Sequence, residues 1–221
     1  MNKTPRSVGA PRGRGRPSAN CAQGADTLLR SARRTFALRG FEAASVREIA
    51  RQAGVDAALI SHHFGSKEAL WMAVVEQIAR QVQSIFDTAA DLRGDATLTP
   101  RQRVEQGLIH FSDRVFEDPD IGMFFSTAAT EEGERLNALV DQLVRPFHNV
   151  FMPLLEDAMA AGEITPCDPH LLFTLLTQGI SKTVAYSHVL RAVSPLPDDA
   201  VRFKRELLET VFRLLGPATR D

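Results

Sequence analysis

Between Ser45 and Lys67 the chain reads SVREIARQAGVDAALISHHFGSK, a stretch that holds three helix starts and two helix stops. Ser45 and Glu48 form a capping box: the Ser45 hydroxyl takes the amide of Glu48, and the Glu48 carboxylate reaches back to the amide of Ser45. The helix that starts at Val46 buries Val46, Ile49, Ala50 and Ala53. It stops at Gly54, because glycine adopts the left-handed conformation without steric cost. Val55 plugs the turn, and Asp56 caps a second short helix through Ala57, Ala58, Leu59, Ile60, Ser61, His62 and His63. Phe64 and Gly65 close it, and Ser66 caps a long helix from about Lys67 to Leu92. Two short helices joined by a glycine-containing turn make a helix-turn-helix, and the small Ala50 lets them cross closely. By pattern, Ile49, Val55, Ile60 and Phe64 form its core.

On the N-terminal side, Ala25, Leu28, Leu29, Ala32, Phe36 and Ala37 fall on one helical stripe with Arg30, Arg33 and Arg34 off it. This helix closes at Gly40. Residues 1–24 are a Gly/Pro/Arg/Ser tail with no apolar period, so disorder is expected there. Within the tail, Arg14-Gly15-Arg16-Pro17 resembles the core of an AT-hook, whose arginines lie in a narrow minor groove. The blander reading is a basic leader that adds nonspecific attraction to phosphate. Residues 1–67 hold 12 Lys and Arg against 4 Asp and Glu, a net of +8, whereas the rest of the chain carries −9. A basic first third joined to an acidic remainder suits a chain that sets one end on a polyanion.

On the C-terminal side the pattern is helical throughout, over about 100–117, 119–130, 134–161, 169–192 and 198–215. Thr99-Pro100 and Asp168-Pro169 are cap-plus-proline starts. Pro146 and Pro153 fall inside the third of these helices, where each is expected to kink or break it.

The pattern Phe36-x3-Gly40-Phe41-x3-Ser45-Val46-x2-Ile49-Ala50-x2-Ala53-Gly54-Val55-x4-Ile60-x2-His63-Phe64-x-Ser66-Lys67-Glu68-x-Leu70 closely resembles the DNA-binding domain of tetracycline-repressor-like (TetR/AcrR) regulators. The resemblance implies an all-α protein: an N-terminal three-helix helix-turn-helix domain over 25–70, then a helical-bundle ligand-binding and dimerisation domain over 71–217. It implies that the 56–63 helix enters the major groove, with Ser45, His63 and Lys67 holding phosphate and Arg47, Ala57, Ala58, Ser61 and His62 facing base edges. Arg14 and Arg16 of the tail are further DNA candidates. The chain departs from the family at Ser61, where a tyrosine is common, so that phosphate contact is shortened or lost. Ala57-Ala58 leaves little polar readout, which shifts specificity toward Arg47, the tail or DNA shape.

For an effector pocket the candidates are His110, Phe111, Met123, Phe124, Phe147, Phe151, Gln178 and Tyr186. Leu172, Leu175, Leu176 and Gly179, with Phe203, Leu207, Leu208 and Val211, lie on two helices whose apolar faces exceed a monomer's needs. As in the family, they are expected to pair with their copies in a four-helix dimer interface. Trp71 reads as core rather than as a cofactor platform.

Several classes of function are set aside. No nucleophile and base pairing, Gly-rich phosphate loop or helically spaced carboxylate pair argues for an enzyme. Adjacent His62 and His63 point apart on a helix, and Cys21 and Cys167 stand alone, so neither a metal, a cofactor nor a disulfide is expected. No apolar run approaches ~18 residues and no secretory h-region is present. The expectation is a cytoplasmic, nucleoid-associated homodimer, a repressor released from a pseudo-palindromic double-stranded operator by a largely apolar small molecule. The alternative is an architectural DNA-binding protein without an effector.

Overall fold

The computed structural model describes residues 19–216, and all regular structure among them is helical. Arg14 and Arg16 lie outside the described residues. Helix α1 (Ala19–Ala43) starts earlier than Ala25, taking in residues that composition alone puts in the tail. Pro17 is the last residue before it that forbids a helix interior, and Ala19 and Ala22 are good helix formers. At Gly40 the backbone turns to φ 72°, ψ 173°, which closes the regular helix and sends Phe41–Ala43 off in a new direction.

Helices α2 (Val46–Ala53), α3 (Ala57–Phe64) and α4 (Lys67–Gly94) follow with the caps the sequence predicts. Ser45 Oγ accepts from the Glu48 amide at 3.1 Å, Asp56 Oδ1 from the Ala58 amide at 2.7 Å, and Ser66 Oγ from the Ala69 amide at 3.0 Å. Gly54 stops α2 at φ 69°. The capping box at Ser45 is corrected to half a box: the Glu48 carboxylate meets Arg39 at 2.9 Å and Gln52 at 3.4 Å. A cation on the neighbouring helix attracts it more strongly than a neutral amide does.

The remaining helices are α5 (Pro100–Glu117), α6 (Pro119–Ala128), α7 (Gly133–Leu139), α8 (Arg145–Ala160), α9 (Pro169–Ala185), α10 (Ser187–Arg191) and α11 (Ala200–Leu214). Thr99 and Gln102 form the reciprocal capping box that Ser45 and Glu48 do not. The expected break at the two prolines takes a different form. A π segment, Val140–Val144, joins α7 to α8, with the Arg145 amide reaching the Val140 carbonyl, so Pro146 enters α8 in its first turn, where an amide is dispensable. Pro153 sits inside α8 without interrupting it. The expected 169–192 helix instead turns at Tyr186, φ −107°.

Two apolar cores form. Leu28, Phe36, Ile49, Ile60 and Trp71 gather α1 to α4, and Phe124 and Ala128 of α6 join them. The second packs Leu108, Phe151, Leu155, Leu176 and Ile180 of α5, α8 and α9. Helix α4 runs unbroken through both, and α6 packs along α1 on one side and α9 on the other.

The faces of α9 and α11 differ from expectation. Leu172, Leu176, Phe203 and Val211 are buried in the chain's own core, and Leu207 packs against it. Their inward stripe is needed by the protomer itself; the Phe203 ring, for example, lies 5.3 Å from that of Phe116 on α5. Leu175 and Gly179 face outward, accompanied by Leu171 of α9 and Val201 and Leu214 of α11, while Leu208 is half-buried. No helix among the described residues is long and apolar enough to cross a membrane.

Candidate nucleic-acid interface and a linked cavity

Helix α3 presents two faces. Ala57, Ile60 and Phe64 turn toward the core, while Ala58, Ser61, His62 and His63 are exposed. Ser45 and Arg47 are exposed at the start of α2. Ser61 Oγ donates to the Ala57 carbonyl at 3.2 Å, which leaves its lone pairs open to a donor. The His62 and His63 rings meet edge to face at 5.6 Å. A convex helix with small side chains and no carboxylate beyond its cap has the shape and charge to lie in a major groove. Leu59, 43% exposed, belongs to this face and was missed. Its signal was available, since an apolar residue beside the 57/60/64 stripe has no core to enter.

Lys67 is engaged within the chain. Its ammonium donates to the carbonyls of Phe41 at 2.9 Å, Glu42 at 3.3 Å and Ala44 at 3.3 Å, and lies 4.3 Å from the centre of the Phe41 ring. The turn after Gly40 leaves carbonyls without helical partners, and Lys67 supplies all three of its donors to them. In the free chain it thus acts as an internal cap. Arg135 of α7 covers the same ring at 3.9 Å. Burial works against the Arg135 charge, but its hydrogen bonds and ion pairs with Glu131 and Glu68 outweigh that, and its pKa is raised. Lys67→Ala is expected to cost about 1–2 kcal/mol in urea unfolding and to leave the salt dependence of DNA binding unchanged. A slope lower by about one at unaltered stability would return Lys67 to the interface.

Between α4, α5, α6, α8 and α9 lies a cavity of about 190 Å³. Phe86, Phe111, Phe125, Phe147 and Phe173 share its wall with aliphatic side chains such as Ile78, Val82 and Leu143, and Arg114, Thr174, Thr177, Gln178 and Ser181 are its polar lining residues. Of the residues expected there, Phe111, Phe147 and Gln178 line it. The other five do not. His110 is exposed one position around α5, Phe124 packs against Trp71 at 5.7 Å, and Met123 packs on the same core. Phe151 sits behind Phe147 with its ring against Gly107, and Tyr186 lies beside His188 beyond the end of α9. Neighbouring helical positions point about 100° apart, so a one-residue difference separates wall from core.

Helix α6 joins the two sites. Ile121, Gly122 and Phe125 face the cavity, while Phe124 and Ala128 sit in the α1–α4 core and Thr127 Oγ1 donates to the Ala37 carbonyl of α1 at 2.8 Å. A polar link runs alongside. Arg114 donates to the Gln81 carbonyl at 3.1 Å, and Arg33 of α1 donates to Gln81 Oε1 at 2.9 Å and to Asp118 Oδ2 at 2.6 Å. Arg33 is 2% exposed.

Residues 28–74 match the model of bacterial regulatory proteins of the tetR family. Over 94 residues, 42% of this chain, the sequence is 32% identical to the transcriptional repressor AcnR of Corynebacterium efficiens. The chain spans only about two fifths of that relative's length, 40%. In fold it is similar to a regulatory protein in the tetR family from Rhodococcus RHA1, with a TM-score of 0.70, 18% identity, and coverage of 89% of this chain and 99% of that one. It is similar also to the transcriptional regulator FadR of Bacillus subtilis in complex with stearoyl-CoA, with a TM-score of 0.61, 19% identity, and coverage of 87% and 100%. The stretch that carries the capped α2 and α3, residues 28–74, is thus similar to the tetR family of bacterial regulatory proteins.

Proposed function

We propose that the chain is a DNA-binding transcriptional repressor that acts as a homodimer on a pseudo-palindromic operator and is released when a small molecule enters the cavity. The observation that carries this reading is that one helix, α6, has a cavity on one face and the DNA-binding domain on the other. In a dimer the two α3 helices read successive major grooves, about 34–36 Å apart. A ligand that moves α6 re-sets α1 and with it that spacing. A hundredfold release needs about 2.7 kcal/mol of differential binding, within reach of one buried pocket. The cavity also weighs against the architectural alternative, which has no use for it.

Arg33 is the proposed coupling residue, since its guanidinium ties α1 to α4 and to the start of α6. Arg33→Met is expected to cost about 2 kcal/mol, below the cost of breaking a fully buried pair because Asp118 keeps contact with water. It should also bind effector and operator while losing most of the ligand-induced release. Full release in a stable variant would remove Arg33 from the coupling.

The proposal is tested by sedimentation of the protein alone and on a mixed-sequence duplex, with fluorescence anisotropy of the same duplex across a salt series. Two protomers per bound duplex, with affinity falling steeply as salt rises, is the expected result. A monomer that leaves the duplex free at low salt would overturn it.

A further inference from the structure

The cavity is specific enough in size, wall and charge to name the class of its ligand. Its volume, about 190 Å³, lies a little above that of an apolar cavity of about 150 Å³ that accepts benzene. One ring with a short substituent fits this volume. Phe86 and Phe111 stack on Phe147 with centroids 5.9 and 5.1 Å away, and Phe173 is tilted against it at 5.4 Å. Such a wall favours a flat ring, which makes offset or edge contacts with its neighbours.

Among the lining residues, Arg114 lies one helical turn along α5 from Phe111, and Gly122 of α6 faces the Ser181 carbonyl of α9. Arg114 is the one charged residue among those lining the cavity, and no carboxylate lines it. A cationic ligand would meet like charge, and a hydrocarbon would leave the polar lining residues unused. Arg114 makes one surface ion pair, with Glu117, and one hydrogen bond, to the Gln81 carbonyl. Two of its five N–H donors are so engaged, and a half-exposed i,i+3 pair is readily exchanged for a better anion. A carboxylate is that anion, because its two oxygens match the guanidinium fork.

We propose that the cavity binds a compact monocyclic aromatic carboxylate, its ring among Phe86, Phe111, Phe147 and Phe173 and its carboxylate on Arg114, with Gln178 and Ser181 as neutral neighbours. This rests on the effector reading above and adds the ligand's chemistry to it. It also gives the ligand a route to DNA: a carboxylate that draws Arg114 off the Gln81 carbonyl acts on the residue that holds Arg33.

Calorimetric titration of the full chain with benzoate, benzyl alcohol and benzylamine tests this, with thermal unfolding recorded alongside. Benzoate is expected to bind and raise the Tm, benzyl alcohol to bind about tenfold or more weakly, and benzylamine not to bind. Arg114→Gln should lose benzoate by a similar factor, and Arg114→Lys, which keeps the charge without the fork, should fall between. Equal binding of benzoate and benzyl alcohol, or unchanged benzoate binding in a folded Arg114→Gln, overturns the carboxylate assignment. If benzyl alcohol or benzylamine alone binds and releases DNA, the assignment falls and the effector reading stands. If none of the three binds, the assignment falls, and the sedimentation and anisotropy results still decide DNA binding and dimerisation by themselves.

Discussion

Trp71→Ala is expected to destabilise the protein by about 3–5 kcal/mol, the largest single loss in the chain. Trp71 is 1% exposed and comes from the second turn of α4. Its ring lies 5.7 Å from that of Phe124, so it fills the place where the DNA-binding domain meets α6. Truncation removes the transfer energy of the indole and leaves a cavity bounded by helices that cannot all close on it. Urea unfolding followed by circular dichroism measures the loss, because Trp71 is the only tryptophan and fluorescence disappears with it. Trp71→Phe should recover more than half of the stability. A loss below about 1 kcal/mol would mean that α4 and α6 do not share this core.

Leu175→Arg is expected to split the proposed dimer and to weaken operator binding by about a hundredfold or more, because each half-site is then held without its tethered neighbour. Leu175 is 59% exposed on α9, and Leu171, just as exposed, lies one turn before it. Two large leucines in line on a helix whose opposite face is already buried form a surface that a second copy of α9 would cover. Val201 and Leu214 of α11 are exposed as well. A new charge there cannot be buried without a partner, so the cost falls on association rather than on the fold. Analytical ultracentrifugation distinguishes the outcomes. A monomer with unaltered Tm supports the interface, whereas an intact dimer that binds the operator normally would place the contact elsewhere.

The helix-turn-helix was legible because its signals are local. Ser45, Asp56 and Ser66 each cap a helix through an amide two or three residues away, and Gly54 and Gly65 stop one through their own backbone. None of these depends on a distant neighbour. The cavity was less legible for the opposite reason. Phe124 and Phe125 are adjacent and chemically identical, and only the crossing of α6 over α1 and α9 decides that Phe125 lines the cavity while Phe124 meets Trp71. The α9 stripe misled in the same way: Leu172 and Leu176 face inward and Leu171 and Leu175 outward, a choice fixed by where α5 and α8 pack. The internal contacts of Lys67 were not legible because its carbonyl partners lie more than twenty residues earlier in the chain. Arg33 lies off the apolar stripe of α1, yet helices far along the chain bury it.

In the proposed dimer it is α3 that reads sequence, and selection of bound fragments from a random double-stranded DNA pool, with protein stoichiometry determined on the winning sequence, tests this. The expected result is an inverted repeat, its half-sites one helical turn or a multiple of it apart, bound by a dimer, with the preferred bases altered by His62→Ala or Leu59→Ala. Enrichment of nothing beyond A·T-rich DNA, or of a single half-site bound by one protomer, would contradict it.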